Sequence, residues 1–251
     1  MPKFVDVETA RAASGLRLVT LAGVPSLWSE AAKGIFHVKR LDFVAVRMRV
    51  GDATIAAWTG RSNAPVAMWQ DEPARDGWAD ILALAERLSP EPRLVPASPA
   101  GAAEVHALCE LISGRDGLMW SARLLLIHAS LSSDGQRGLP VPISRHLAQR
   151  YGYSETEIPE VRKRVEEILR DLGDRVSDSY VLGDQLTAAD IHLAAATACL
   201  APFPDEHCLI QPGPRRAFSA MNDEVAPFIP TSLLAHRDRI YRQHLEFPIQ
   251  I

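Results

Sequence analysis

Two patterns of apolar residues divide the chain. In the first part, short apolar runs alternate with segments of helical periodicity. Runs at Leu16–Leu21, 43–50 and Val66–Trp69 predict strands, and apolar faces over 27–39 and Trp78–Leu88 predict helices. The first strand, helix and second strand predict a parallel, right-handed β-α-β unit. The stretch between the second and third strands is predicted to be irregular.

The remainder of the chain predicts helices almost alone. Apolar residues recur at helical spacing over residues 105–112, 118–130, 161–172, 188–200 and 233–245. The helix over Ala188–Leu200 is apolar nearly all round, which predicts a buried, central position. Residues 132–153, which carry Gly and Pro, are predicted to be an irregular connection. Between the two parts, a proline cluster marks a linker, so we predict domains over 1–92 and 99–251: Pro90, Pro92, Pro96 and Pro99.

Composition and charge exclude several classes of protein. The 251 residues are 47% hydrophobic and 23% charged, which excludes collagen-like and disordered chains. Residues 1–95 hold 12 basic and 11 acidic side chains, leaving 15 and 20 for the rest, so neither part suggests a nucleic-acid surface. No run approaches the roughly 20 apolar residues of a membrane span. Three cysteines and an N-terminus without a secretory signal indicate a cytoplasmic protein.

A local motif begins the central helix. In Leu-Thr-Ala-Ala-Asp-Ile, Thr187 and Asp190 have the spacing of a capping box. Residues 180–195 resemble the Gly-Asp-x-Leu-Thr-x-Ala-Asp segment of the glutathione S-transferase superfamily, and the likeness extends over about residues 15–250. The resemblance implies a thioredoxin-like N-terminal domain followed by an all-helical C-terminal domain. It also implies glutathione as co-substrate, a small-molecule substrate and a homodimer.

The resemblance also implies where glutathione would bind. Ser26 falls where other members have a reactive Cys or Ser at the start of the first helix, followed here by Leu27 and Trp28. The alternative register would put Val24 at this position, and a valine side chain has no reactive group. Ala64-Pro65 matches the family segment whose proline is cis, where the Ala64 backbone would pair with glutathione. Each site has a plainer alternative: Ser26 as an N-cap and Pro65 as a strand-entry proline.

The γ-glutamyl part of the site departs from the family. The usual Glu-Ser pair is replaced by Asp76-Gly77, where Asp76 could hold an ammonium group and the Gly77 amide a carboxylate. The alternative is that Asp76 only caps the helix, and Arg61 or Arg75 could compensate for the missing pair. Trp120 and Arg123 are candidates for the pocket of the electrophile; ordinary core packing is the alternative for Trp120.

The function predicted from these residues is transfer of the glutathione thiolate to a small hydrophobic electrophile. A hydroxyl at Ser26 would stabilise the thiolate, whereas thiol–disulfide exchange would need a cysteine there. The alternatives are a non-catalytic protein that uses the fold for ligand binding or interaction, and a glutathione-dependent isomerase or lyase. No metal is expected, because His106, Cys109, His207 and Cys208 lack the paired spacing of a zinc site.

Overall fold

The computed structural model describes residues 3–176 and 180–251. A four-stranded sheet holds β1 (Lys3–Phe4), β2 (Leu16–Leu21), β3 (Phe43–Met48) and β4 (Val66–Trp69) in the order β1-β3-β2-β4. The predicted parallel pairing of β2 with β3 is confirmed, and β4 runs antiparallel to β2. The sequence did not reveal the two-residue strand β1.

Four helices accompany the sheet: α1 (Val7–Ala12), α2 (Leu27–Val38), α3 (Ala53–Thr59) and α4 (Trp78–Leu88). The prediction of an irregular stretch between β3 and β4 is wrong at α3. This short helix is made by its ends, because Asp52 accepts from the Ile55 amide at 3.0 Å and Gly60 closes it with φ +68°. It buries too few residues to leave a helical period in the sequence.

From Pro99 onward the described residues form helices and their connections: α5 (Pro99–Ser113), α6 (Leu118–Ser132), α7 (Val141–Tyr151), α8 (Ile158–Arg175), α9 (Ala188–Leu200), α10 (Pro212–Val225) and α11 (Thr231–His244). The prediction of an irregular connection over 132–153 is wrong, since it contains α7. Only Ser144 of this helix is fully buried, and its narrow apolar face of half-buried residues, Ile143, Leu147 and Tyr151, is obscured by the Gly and Pro residues of the stretch. Helix α10 was missed for a similar reason.

Helix α9 is the centre of the molecule, as predicted, and all of its residues are buried. The capping box forms, with the Thr187 amide donating to Asp190 Oδ2 at 2.9 Å. Asp190 Oδ1 also accepts from the Val181 amide at 2.8 Å and lies 3.0 Å from His236 Nε2. Helices α2, α5 and α11 pack on α9. This is the arrangement of a thioredoxin-like domain followed by a helical domain; the division at 92–99 stays a prediction.

Candidate functional site

Two of the predicted site segments meet at the C-terminal end of β2. The chain leaves β2 at Leu21 and reaches Ser26 directly before α2. Val19 pairs with Val66 in antiparallel register. Pro65 directly precedes Val66, the first residue of β4. In antiparallel pairing it therefore lies beside the C-terminal end of β2, where the loop to Ser26 begins.

The third segment follows along the same edge. Ala67 and Arg75 exchange two backbone hydrogen bonds of 2.8 and 2.9 Å, forming an isolated antiparallel bridge. Antiparallel register then brings the next residues, Asp76 and Gly77, alongside the entry to β4. The fold thus gathers the residues proposed for glutathione at one end of the sheet.

Ser26 occupies the N-cap position of α2 with extended backbone angles, φ −63° and ψ 121°. Its carbonyl accepts from the Glu30 amide at 2.8 Å, which starts the helix. Among the described residues its hydroxyl makes no capping hydrogen bond, and the residue is 3% exposed. The capping alternative therefore holds for the backbone position and not for the side chain.

The Ala64–Pro65 peptide bond is cis, as the family resemblance implied. Pro65 is buried and Ala64 half-buried. The contact of the Ala64 backbone with glutathione stays a prediction.

Asp76 does not cap α4, contrary to the plainer alternative. Gly77 is the N-cap residue, and no side-chain cap is found there within the part of the chain that the structure describes. The Asp76 carboxylate instead pairs with Arg61, with Nε and Oδ1 3.2 Å apart. Arg75, the other arginine considered, bonds Glu72 at 2.6 Å. Arg61 is thus the arginine that accompanies Asp76.

Trp28 connects the first turn of α2 to the helical part of the chain. Its Nε1 donates to the Ser113 carbonyl on α5 at 2.8 Å. The Ser113 hydroxyl in turn lies 2.6 Å from His192 Nδ1 on α9. Burial lowers the pKa of His192 to about 4. Sequence reasoning missed Ser113 and His192; the one available signal was a histidine within the apolar segment of α9.

Trp120 and Arg123 contact different elements although they are three residues apart on α6. The Trp120 ring lies 4.4 Å from that of Tyr151 on α7 and is half-buried, which agrees with the packing alternative. Arg123 is 8% exposed, and its guanidinium lies 5.2 Å from the Phe218 ring on α10. Of the two, Arg123 is the side chain that approaches α10; a pocket role for either stays a prediction.

Other features lie away from these residues. A cleft of about 730 Å³ opens at the other end of the sheet, where its lining includes Gly15, His37 and Trp69. No cluster of three or more His, Cys, Asp or Glu able to hold a metal occurs among the described residues. No described helix is long and apolar enough to cross a membrane.

Comparison with known protein families gives a match within the helical part of the chain. Residues 123–218 match the family of the glutathione S-transferase C-terminal domain. No curated protein sequence matches the chain.

Solved structures share the fold across the chain. A glutathione S-transferase of Methylobacterium radiotolerans, in complex with glutathione sulfonate, is 19% identical, with a TM-score of 0.62 over 94% of this chain and 97% of that one. A glutathione S-transferase of Methylobacillus flagellatus with glutathione bound is 14% identical, with a TM-score of 0.61 over 91% and 95%. A glutathione S-transferase domain-containing protein of Marinobacter aquaeolei is 17% identical, with a TM-score of 0.65 over 90% and 98%. The chain thus has the fold of glutathione S-transferases, and its residues 123–218 match the family of their C-terminal domain.

Proposed function

We propose that the protein transfers glutathione to a small hydrophobic electrophile, with Ser26 stabilising the thiolate. The observation that carries this proposal is a hydroxyl at the N-terminus of α2 that makes no capping bond within the described chain. A helix N-terminus has unpaired amides and the positive end of the dipole, so it favours an anion. Two structures of the same fold contain glutathione or its sulfonate, which supports this ligand.

Glutathione would lie along the edge that the three segments form. The Ala64 backbone pairs with its cysteinyl residue, and Trp28 lies next to Ser26 on the first turn of α2. Asp76 takes the ammonium group, and the Gly77 amide meets the adjacent carboxylate at the N-terminus of α4. To bind the ammonium group, the Asp76 carboxylate must break its ion pair with Arg61. Both side chains are about a third or more exposed, so their ion pair contributes at most about 1 kcal/mol, and the exchange costs little.

The chemistry is a nucleophilic attack by sulfur. The thiol proton leaves to solvent, and the Ser26 hydroxyl donates a hydrogen bond to the sulfur anion. In a substitution, the new C–S bond forms as the leaving group departs with its bonding electron pair. In an addition, those electrons pass into the acceptor, which takes up a proton. Trp120 and Arg123 belong to the proposed pocket for this second substrate.

Replacing the hydroxyl tests the proposal. A hydrogen bond to a charged group contributes about 1.5–3 kcal/mol, so Ser26→Ala should lower kcat/KM for an aryl chloride about 10- to 100-fold. The same substitution should raise the pKa of the thiol of bound glutathione. A pH titration of the ultraviolet absorbance of the thiolate measures this pKa. Ser26→Thr keeps a hydroxyl and an N-cap residue and should retain most of the activity. An unchanged rate in Ser26→Ala would contradict the role of Ser26.

A non-catalytic ligand-binding protein is the second candidate. Two observations favour it: Ser26 is 3% exposed, and Asp76 already has a cationic partner in Arg61. Calorimetry separates the two candidates, because a transferase must bind glutathione. No heat of binding at millimolar glutathione would reject the transferase and leave the second candidate. An isomerase or lyase would bind glutathione too, and substrate profiling distinguishes it.

We also propose a cytoplasmic homodimer. The three cysteines are buried and form no disulfide within residues 3–176 and 180–251, which suits a reducing compartment. Dimerisation is proposed from the family alone. Light scattering should give twice the 27.5 kDa mass of the chain.

A further inference from the structure

Five Arg and Lys side chains are buried among the described residues, and four of them have polar partners. Those four pairs are Arg17 with the Ala13 carbonyl at 3.3 Å, Lys33 with Glu30 at 3.0 Å, Lys39 with Glu86 at 2.7 Å, and Arg237 with Asp238 at 2.6 Å. The fifth, Arg123, has neither a hydrogen bond nor an ion pair with any residue that the structure describes.

An unpaired buried guanidinium needs an explanation. Removing a charge from water without a partner costs several kcal/mol, and a guanidinium has five N–H donors to satisfy. The neighbouring Phe218 ring offers a cation–π contact but no acceptor in the plane of those donors. Fully enclosed nitrogens that lack a hydrogen-bond partner occur among the described residues, for example at Arg17 Nε and His192 Nε2, and none of them belongs to Arg123. The nitrogens of Arg123 are therefore accessible to solvent. The donors of Arg123 are therefore available to a ligand.

Helix α10 places this guanidinium near the loop before Ser26. Pro214 and Phe218 are four residues apart on α10, so they share one face of the helix. Phe218 contacts Arg123, and Pro214 Cγ lies 3.7 Å from the position of a β-carbon on Gly23. Gly23 belongs to the loop that leads from β2 to Ser26.

Cys199 on α9 gives a second link between Arg123 and the first turn of α2. Burial raises the pKa of its thiol, while the positive charge of Arg123 and the nearby Leu27 backbone lower it. Leu27 is the first residue of α2, directly after Ser26. The thiol that contacts this residue is thus within electrostatic range of the guanidinium.

We propose that Arg123 binds a carboxylate on the electrophilic substrate, so that the preferred acceptors are small hydrophobic electrophiles that carry this group. The inference rests on the proposed transfer of glutathione. The planar guanidinium fits a carboxylate through two parallel hydrogen bonds. Phe218 supplies an apolar surface beside it. Anchoring the carboxylate there directs the reactive carbon toward the N-terminus of α2, where the thiolate is held.

The test compares a chloronitrobenzoate with its methyl ester, which lacks the charge, and refers each rate to the uncatalysed reaction of the same acceptor with glutathione. In both, the glutathione sulfur bonds the ring carbon as the C–Cl bond breaks; chloride leaves with the electron pair, and the thiol proton passes to solvent. We expect the wild type to favour the acid, by about 10- to 100-fold in kcat/KM, as for a hydrogen-bonded charge pair. Arg123→Gln should abolish this preference by raising KM for the acid alone, and Arg123→Lys should retain part of it.

Arg145→Gln is the matched control. Arg145 is exposed on α7, so its loss changes the net charge equally without touching the proposed contact. It should keep the preference for the acid. Circular dichroism and thermal midpoints establish that each variant is folded, and Arg123→Met serves if the glutamine variant is not.

The outcomes separate this inference from the proposed function. An equal ratio of acid to ester in wild type and Arg123→Gln overturns the inference and leaves conjugation intact. A raised KM for glutathione with the ester would mean that Arg123 holds glutathione's own carboxylate, which also overturns it. If no acceptor reacts, the transferase proposal fails, and calorimetry with the chloronitrobenzoate alone decides the site. Binding that Arg123→Gln abolishes supports it, whereas equal or absent binding overturns it.

Discussion

One buried histidine should make folding stability depend on pH. His192 is 1% exposed, its Nδ1 lies 2.6 Å from the Ser113 hydroxyl, and its Nε2 is enclosed without a partner in the described chain. Burial lowers its pKa from 6.5 to about 4. The unfolded chain therefore binds a proton on this side chain as pH falls through about 6.5, while the folded chain stays neutral until about 4.

The sign and size follow from this difference. Where the unfolded state binds more protons, the free energy of unfolding falls as pH falls. The contribution is complete above about pH 6.5 and lost near pH 4. This difference in pKa corresponds to about 3 kcal/mol in total. Most of it, roughly 2 to 3 kcal/mol, should disappear between about pH 7.5 and 4.5.

Urea unfolding across this range, for wild type and His192→Gln, measures the effect. Glutamine can still bond the Ser113 hydroxyl but does not titrate. The stability of this variant should therefore lack the loss that His192 causes in the wild type, whatever other groups contribute to both proteins. His106→Gln, at an exposed position on α5, should behave as the wild type. Equal losses in wild type and His192→Gln would refute the assignment to His192.

Two further predictions concern contacts that join α2 to the helical part of the chain. A β-carbon on Gly34 would lie 2.8 Å from Ile191 Cγ2, a methyl that a helix holds in one rotamer; Gly34→Ala should therefore lower the free energy of unfolding by about 1–3 kcal/mol. Gly213→Ala, in open space on α10, should be neutral or stabilise by up to about 1 kcal/mol. Trp28→Phe removes the donor to the Ser113 carbonyl and should cost about 1–3 kcal/mol in the same urea assay; no loss would show that the bond contributes nothing.

Strong local patterns could be predicted from the sequence and weak ones could not. Strands β2 and β4 and helix α9 match their predicted bounds, because each is a mostly apolar, buried segment with a clear start. Helices α7 and α10 bury few residues completely, so their narrow apolar faces are a weak signal in a sequence rich in Pro and polar residues. These helices are stabilised by tertiary contacts with the rest of the protein, and the periodicity of their own sequences does not reveal those contacts.

The candidate site shows the same limit. The family resemblance indicated the cis bond before Pro65 and the N-cap position of Ser26. The pairing of Asp76 with Arg61 joins residues 15 apart, and the sequence offered both Arg61 and Arg75 without a means to choose. The isolation of Arg123 is still harder to predict, since it depends on where the acidic side chains of the chain lie.

These contacts make the helical part of the chain responsible for the position of Ser26. The residues proposed for glutathione lie in the first part, yet the first turn of α2 is held from the other side. Leu27 contacts Cys199 on α9, and Trp28 bonds Ser113 on α5. Because a hydrogen bond weakens steeply with distance and angle, a small shift of this turn would weaken the bond from Ser26 to the thiolate. The reactive group and the proposed carboxylate anchor at Arg123 thus depend on the same helices, which fixes their separation more closely than two independent domains could.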